Sequence, residues 1–164
     1  MRLLLAALPI ALLIALMIAT PAAARDTLGV YRSWGAFRDA APPRCYAIAR
    51  PVRAGGRTTG WASVATWPGR GLRASLHVRL SRTRDRSAPV TLTVGERRFE
   101  LTANSLDAWA ADAPSDRAIT AALRSGRSMS VEAVGAGGRP FADVYLLAGA
   151  ATAIDAAALA CLRS

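Results

Sequence analysis

The sequence predicts an α+β domain, mainly antiparallel β, folded as a small sandwich or partly open barrel of about 7–8 strands with two helices. Three observations support this prediction. Apolar residues recur mostly with period two, which is typical of half-buried strands. Glycine-containing turns join several of these runs. Helical periodicity is confined to segments at about 114–125 and 149–162. A doubly wound α/β fold is disfavoured because strands and helices do not alternate along the chain.

The strands are predicted from alternation and from the turns between them. The clearest is Leu72–Leu80, where apolar residues alternate with Arg, Ser and His. Val90–Val94 and Phe99–Leu101 flank a short turn and predict a tight antiparallel hairpin. A glycine-rich turn joins Met129–Ala133 to Phe141–Leu147 and predicts a second hairpin. Less regular strands are predicted upstream at Leu28–Phe37, Cys45–Val52 and Trp61–Trp67.

The two helices have different signals. At the start of the first, Ser115 is expected to cap the free backbone amides and Asp116 to complement the helix dipole. The second helix is rich in alanine and favours helix formation intrinsically. It places Ile154, Ala158 and Cys161 on one stripe, which directs the cysteine toward the sheet.

Residues 1–24 have the layout of a secretory signal peptide. A basic start at Arg2 precedes an uncharged apolar run, and small residues follow, so cleavage is expected after Ala24. The competing interpretation is an uncleaved membrane anchor, because the run could just span a bilayer. Pro9 within the run favours cleavage. The predicted organisation is therefore a signal peptide at 1–24 and a single β-rich domain at 25–164, located in the periplasm or at the cell surface without a membrane span.

Cys45 and Cys161 are the two cysteines of the predicted domain. An even number of cysteines in an oxidising compartment favours one disulfide. Closing a loop of more than a hundred residues is worth about 4–5 kcal/mol in the chain-entropy model. The alternative is a pair of buried free thiols.

The basic charge is the strongest hint of function. The 164 residues contain 21 basic and 11 acidic side chains, a net charge of +10, and every basic one is arginine. Guanidinium groups bind carboxylates and phosphates bidentately, so an anionic envelope glycan, a lipid or an acidic protein is expected as partner. Nucleic acid is not expected for an exported chain, and a compositional bias toward arginine is the alternative explanation. The predicted cationic surface consists of Arg73, Arg79, Arg82, Arg84 and Arg86.

Catalytic signals are few. His77 is the only histidine, and no motif supplies it with a nucleophile or an acidic partner. The sequence therefore predicts no catalytic residue, no metal site and no cofactor, with a hydrolase using His77 as the remote alternative. A second alternative is a structural or inhibitory module that binds a protein partner through exposed Trp61 and Trp67.

The order of several short sequences resembles the invasion-associated locus B family of small exported alphaproteobacterial proteins. These are Tyr31-Arg32-Ser33-Trp34, Cys45-Tyr46, the helix Ala118–Leu123 with the hairpin after it, and the closing stretch Leu146–Ile154. The resemblance covers nearly all of residues 25–164. It implies a periplasmic or surface location and, in pathogenic relatives, a link to host-cell invasion, but no established enzymatic activity.

The sequence departs from that family in its cysteines. Members usually have a Trp-x-x-Cys near the start, whereas Phe37 follows Trp34 here at the cysteine position. The added cysteine pair of the family is missing near Asp107–Pro114. Only the Cys45–Cys161 bridge is therefore expected.

Overall fold

A computed structural model describes residues 25–162, which form one open antiparallel sheet of ten strands and two α-helices. The spatial order of the strands is β1-β2-β3-β4-β5-β8-β7-β6-β9-β10. The predicted α+β class is confirmed, with somewhat more strands than expected. The strands are β1 Arg25–Tyr31, β2 Trp34–Asp39, β3 Arg44–Ala49, β4 Trp61–Trp67, β5 Leu72–Arg79, β6 Val90–Val94, β7 Arg97–Ala103, β8 Asp107–Ala110, β9 Ser128–Val134 and β10 Pro140–Leu146; the helices are α1 Ala113–Ser125 and α2 Ala150–Leu162.

One strand prediction is wrong, and one strand was not predicted. The segment Leu28–Phe37 is not one strand but part of the β1–β2 hairpin, which turns at Arg32 and Ser33. Arg32 adopts a left-handed φ of 54°. Residues other than glycine rarely adopt this conformation, so the sequence gives no indication of a turn at an arginine. Strand β8 was not predicted, because four residues are too few to show alternation. It nevertheless joins the two halves of the sheet by pairing with β5 and β7.

The helices lie within one residue of their predicted bounds, but the cap differs from the prediction. Asp112, not Ser115, is the capping side chain: its carboxylate accepts the backbone N–H of Ser115 at 2.7 Å. Asp116 points to the sheet and accepts the backbone N–H of Leu76 at 2.7 Å. Burial raises the pKa of Asp116. The acidic start of α1 therefore serves both to cap the helix and to dock it on β5.

Both helices cover one face of the sheet, which we call the inner face. Helix α2 packs against β1–β4, and α1 packs against β5, β7 and β8. The disulfide between Cys45 and Cys161, predicted from the sequence, ties β3 to α2 with the two Cα atoms 5.8 Å apart. The largest fully buried side chains include Trp34, Leu76, Leu80, Leu92, Ile119, Leu123 and Tyr145.

Buried Asp143 links the last strand to the middle of the chain. Its carboxylate accepts backbone N–H groups of Gly55 and Ser81, each at 2.8 Å, and the Ser81 hydroxyl. A Cβ at Gly56 would lie 2.0 Å from the Ser81 carbonyl oxygen, so the close approach requires glycine. These bonds hold the loop after β3 between β5 and β10.

The predicted signal peptide, residues 1–24, lies outside the described residues. Within residues 25–162, neither helix has the length and apolar character needed to cross a bilayer.

Candidate functional site

The outer face of the sheet carries a groove across β3, β4, β5 and β8. Alternate residues of a strand point to opposite faces, so Cys45 faces α2 while its neighbours face outward. The groove has a cavity of about 370 Å³. Three small residues form its floor where adjacent strands pair: Ser63, Ala65 and Ser75.

Three rings and a carboxylate form one end of the groove, the aromatic end. Trp61 and His77 make a T-shaped contact, with ring centroids 4.6 Å apart and planes at 78°. His77 stacks on Trp109 at 5.1 Å and 19°. Asp107 fixes the imidazole, since its Oδ1 lies 3.0 Å from His77 Nε2, and it also accepts from Arg79 Nη1 at 3.1 Å. These contacts hold the three rings in a fixed arrangement.

Guanidinium groups over aromatic rings form the other end, the arginine end. The Arg44 guanidinium lies 4.5 Å from the ring centroid of Tyr46 and 5.1 Å from that of Trp67. Arg70 follows Trp67 in a short 3-10 turn and lies 4.9 Å from the same ring. Arg25 lies 5.9 Å from the Tyr46 ring. An aromatic ring attracts a cation without accepting a conventional hydrogen bond, so the N–H groups that do not bind Asp39 stay available to other partners.

Asp39 is the carboxylate at the arginine end. It accepts from Arg25 Nε at 3.0 Å and from Arg44 Nε at 2.8 Å. Partial burial raises the pKa of Asp39, but the hydrogen bonds and charges of the two arginines outweigh burial and hold the pKa below its usual value. Within residues 25–162 no carboxylate pairs with Arg70. Three guanidiniums against one carboxylate leave two positive charges unneutralised.

The prediction that Arg84 belongs to an exposed cationic surface is wrong. Arg84 is only 7% exposed. Its guanidinium donates to backbone carbonyls of Ala103, Asn104, Arg86 and Ala88. Arg84 thus joins carbonyls of its own loop, between β5 and β6, to carbonyls at the end of β7.

The other four predicted arginines also do not form one surface. Arg79 pairs with Asp107 on the outer face. Arg82 lies over the Phe141 ring, 5.5 Å from its centroid. Arg73 lines a separate cavity beside α2, because the chain around it is shifted by a β-bulge and by the left-handed φ of 51° at Ala74. Arg86 is exposed in the loop. Ligand binding by these four residues stays a prediction.

The predicted tryptophans do lie at the groove. Trp61 and Trp67 are half-buried at its opposite ends. Sequence reasoning missed the residues that complete the two ends, because their contacts join distant segments. The sequence did contain one indication. Arg44 and Tyr46 flank Cys45 in a strand, so burial of the cysteine on one face of the sheet places both neighbours on the opposite face. The missed residues are Arg25, Asp39, Arg44, Tyr46, Arg70, Asp107 and Trp109.

His77 has an acidic partner that the sequence did not reveal. Asp107 comes from β8, thirty residues later. Ser63 lies opposite His77 in the β4–β5 register, yet no hydrogen bond joins the two side chains in the described part of the chain. Among residues 25–162, no three His, Cys, Asp or Glu side chains lie together as a metal site would require.

Comparison with known proteins gives a likeness in structure. No protein-family model matches the chain, and no curated protein matches it in sequence. The crystal structure of invasion associated protein B from Bartonella henselae is similar, with a TM-score of 0.63 and 20% sequence identity. The similarity covers 85% of this chain and 99% of that chain. The two proteins share a fold. At the level of fold, this supports the resemblance to the invasion-associated locus B family.

Proposed function

We propose that this chain is an exported, non-catalytic protein that binds an anionic ligand in the groove. The observation that carries the proposal is the arginine end, where aromatic rings position cations that one carboxylate does not neutralise. The small-residue floor leaves space beside them for a ligand. A groove with one sign of charge and low-dielectric walls also concentrates oppositely charged ligands.

Three features support an envelope location for this binding. Residues 1–24 have the signal-peptide pattern. The Cys45–Cys161 disulfide suits an oxidising compartment. The fold is similar to that of a protein whose name associates it with invasion. The anionic partners available there are glycans, lipid head groups and acidic proteins.

The contacts of His77 favour binding over catalysis. Its Nε2 is engaged by Asp107, one ring face stacks on Trp109, and Trp61 makes a T-shaped contact with it. A general base needs a reacting proton within hydrogen-bond reach. Ser63, which pairs with His77 in the sheet register, makes no such bond to it.

Retention on immobilised dextran sulfate tests the proposal. The purified protein, with its disulfide intact, is eluted with a salt gradient and compared with the double variant Arg44→Gln/Arg70→Gln. The matched control is Arg73→Gln/Arg86→Gln, which removes the same charge outside the groove. We expect the groove variant to elute at clearly lower salt than the control. Equal elution of the two double variants would show that only net charge matters and would overturn the proposal.

A further inference from the structure

We infer that the anion bound at the arginine end is a phosphate monoester, an inference that rests on the proposed function. The first argument is charge. A phosphate monoester carries about −1.5 to −2 at pH 7, whereas a carboxylate or a phosphodiester carries a single negative charge. The two positive charges that Asp39 leaves unneutralised match the monoester.

The second argument is the orientation of the cations. Arg44 lies against both Tyr46 and Trp67, and Arg70 lies against Trp67, so these rings are occupied by guanidiniums. They position the arginines rather than offer a free face to a nucleobase or a sugar. N–H groups of these arginines remain available to a ligand. Within residues 25–162, Arg70 donates no hydrogen bond to the protein. Arg44 uses only Nε and Nη2, both for Asp39. Such N–H groups match the tetrahedral oxygens of a phosphoryl group.

The third argument is space. Ser63 and Ser75 place small side chains on the floor. The Ser75 hydroxyl binds the Asp116 carboxylate, so Ser63 is the hydroxyl donor on the floor for a phosphoryl group, which presents three acceptor oxygens. Beyond Arg44 a second cavity, of about 460 Å³, extends past Asp39 to the loop at Pro42. The two cavities share Arg25, Arg44 and Trp67. The phosphoryl group therefore binds where they meet, with room beyond for the group that carries it.

Glucose 1-phosphate and glucuronate test this inference, because they share a sugar ring and differ in the anion. Binding is measured by titration calorimetry on the purified, disulfide-bonded protein. We expect glucose 1-phosphate to bind at least about tenfold more tightly than glucuronate. Arg70→Gln should lower the phosphate affinity about tenfold, and the matched charge control Arg86→Gln should leave it unchanged.

A phosphomonoester can come from a lipid or from a soluble sugar, so a second arm separates the sources. Flotation with phosphatidylcholine vesicles that contain phosphatidic acid is compared with flotation with phosphatidylcholine alone. Arg70-dependent recruitment to phosphatidic acid, together with weak binding of glucose 1-phosphate, would identify a lipid head group. Tight binding of the sugar phosphate without recruitment would identify a soluble source.

The outcomes distinguish this inference from the proposed function. Equal affinity for the two sugars, or tighter binding of glucuronate or of poly-glutamate, would overturn the phosphate assignment and leave the groove as an anion site. Groove-dependent retention on dextran sulfate without binding of glucose 1-phosphate or phosphatidic acid would also overturn it. Equal retention of the groove variant and its charge-matched control on dextran sulfate would overturn the proposed function itself.

Discussion

Two arginine environments differ in which part of the guanidinium the protein occupies. Arg84 is buried in the loop between β5 and β6, where backbone carbonyls accept its N–H edges. Arg70 lies over the Trp67 ring, which contacts its face and accepts no hydrogen bond in the usual sense. Within residues 25–162, carbonyls engage both terminal nitrogens of Arg84 and only its buried Nε lacks a partner, whereas Arg70 donates no hydrogen bond to the protein.

The difference shows how to separate structural from binding arginines. Carbonyl oxygens use up the donors of a guanidinium, so a cation held by carbonyls has little left for a ligand. An aromatic face restrains the cation while leaving its donors free. Exposed N–H groups without a protein acceptor, rather than the density of arginine in the sequence, are the basis on which we propose the binding surface of this chain.

The largest expected effect is on stability at Arg84. Arg84→Met should lower the free energy of unfolding by about 3 kcal/mol or more, because buried carbonyls lose their donors. Urea denaturation measures the loss. A loss below about 1 kcal/mol would show that water replaces the guanidinium readily. It would contradict the structural role that the comparison assigns to Arg84. The exposed Arg86→Met in the same loop is the control, with an expected change within about 0.5 kcal/mol.

The opposite pattern is expected at Arg70. Arg70→Gln should change the free energy of unfolding by no more than about 0.5 kcal/mol, because no acceptor among residues 25–162 depends on it. Its phosphate affinity should nevertheless fall about tenfold. Denaturation and calorimetry on one preparation check both values. A large loss of stability would assign Arg70 to the fold instead.

A smaller effect is expected at the ring that positions two cations. Trp67→Leu keeps Arg44 and Arg70 but removes the face that they share, so the affinity for anions should fall about two- to fivefold. Trp67→Phe retains an aromatic face and should recover most of the affinity. Trp67 is thus a positioning residue, and failure of Phe to exceed Leu would reduce its role to filling space.

The smallest expected effect is the acid sensitivity of Asp39. Its pKa is lowered in the folded chain, so its contribution to stability is present above the unfolded value, near pH 4, and is lost as the pH falls through the folded pKa. The contribution should be below about 1 kcal/mol because Arg25 is largely exposed. The difference in unfolding free energy between wild type and Asp39→Asn should therefore shrink between pH 6 and pH 2.5. A constant difference would contradict the ion-pair explanation.

The strands and helices could be predicted where periodicity extends over five or more residues. The two glycine-turn hairpins and both helices are examples. The turn at Arg32 and the short β8 carry no such signal, so β1–β2 and β8 were missed. Two of the three tryptophans of the groove, Trp61 and Trp67, could be named from the sequence. Their partners could not, because the pairing of β5 with β8 brings Asp107 and Trp109 to His77 only after folding.

The disulfide has a consequence for the groove on the other side of β3. Cys45 points to the inner face, and its neighbours Arg44 and Tyr46 point outward. A shift of one residue in the pairing register of a strand would turn its inward-facing side chains outward and its outward-facing side chains inward. The covalent link to Cys161 forbids that shift, since Cys45 would have to leave α2 to reach the solvent side. The disulfide thus fixes the register of β3 and keeps the guanidinium of Arg44 on the side of the proposed binding groove.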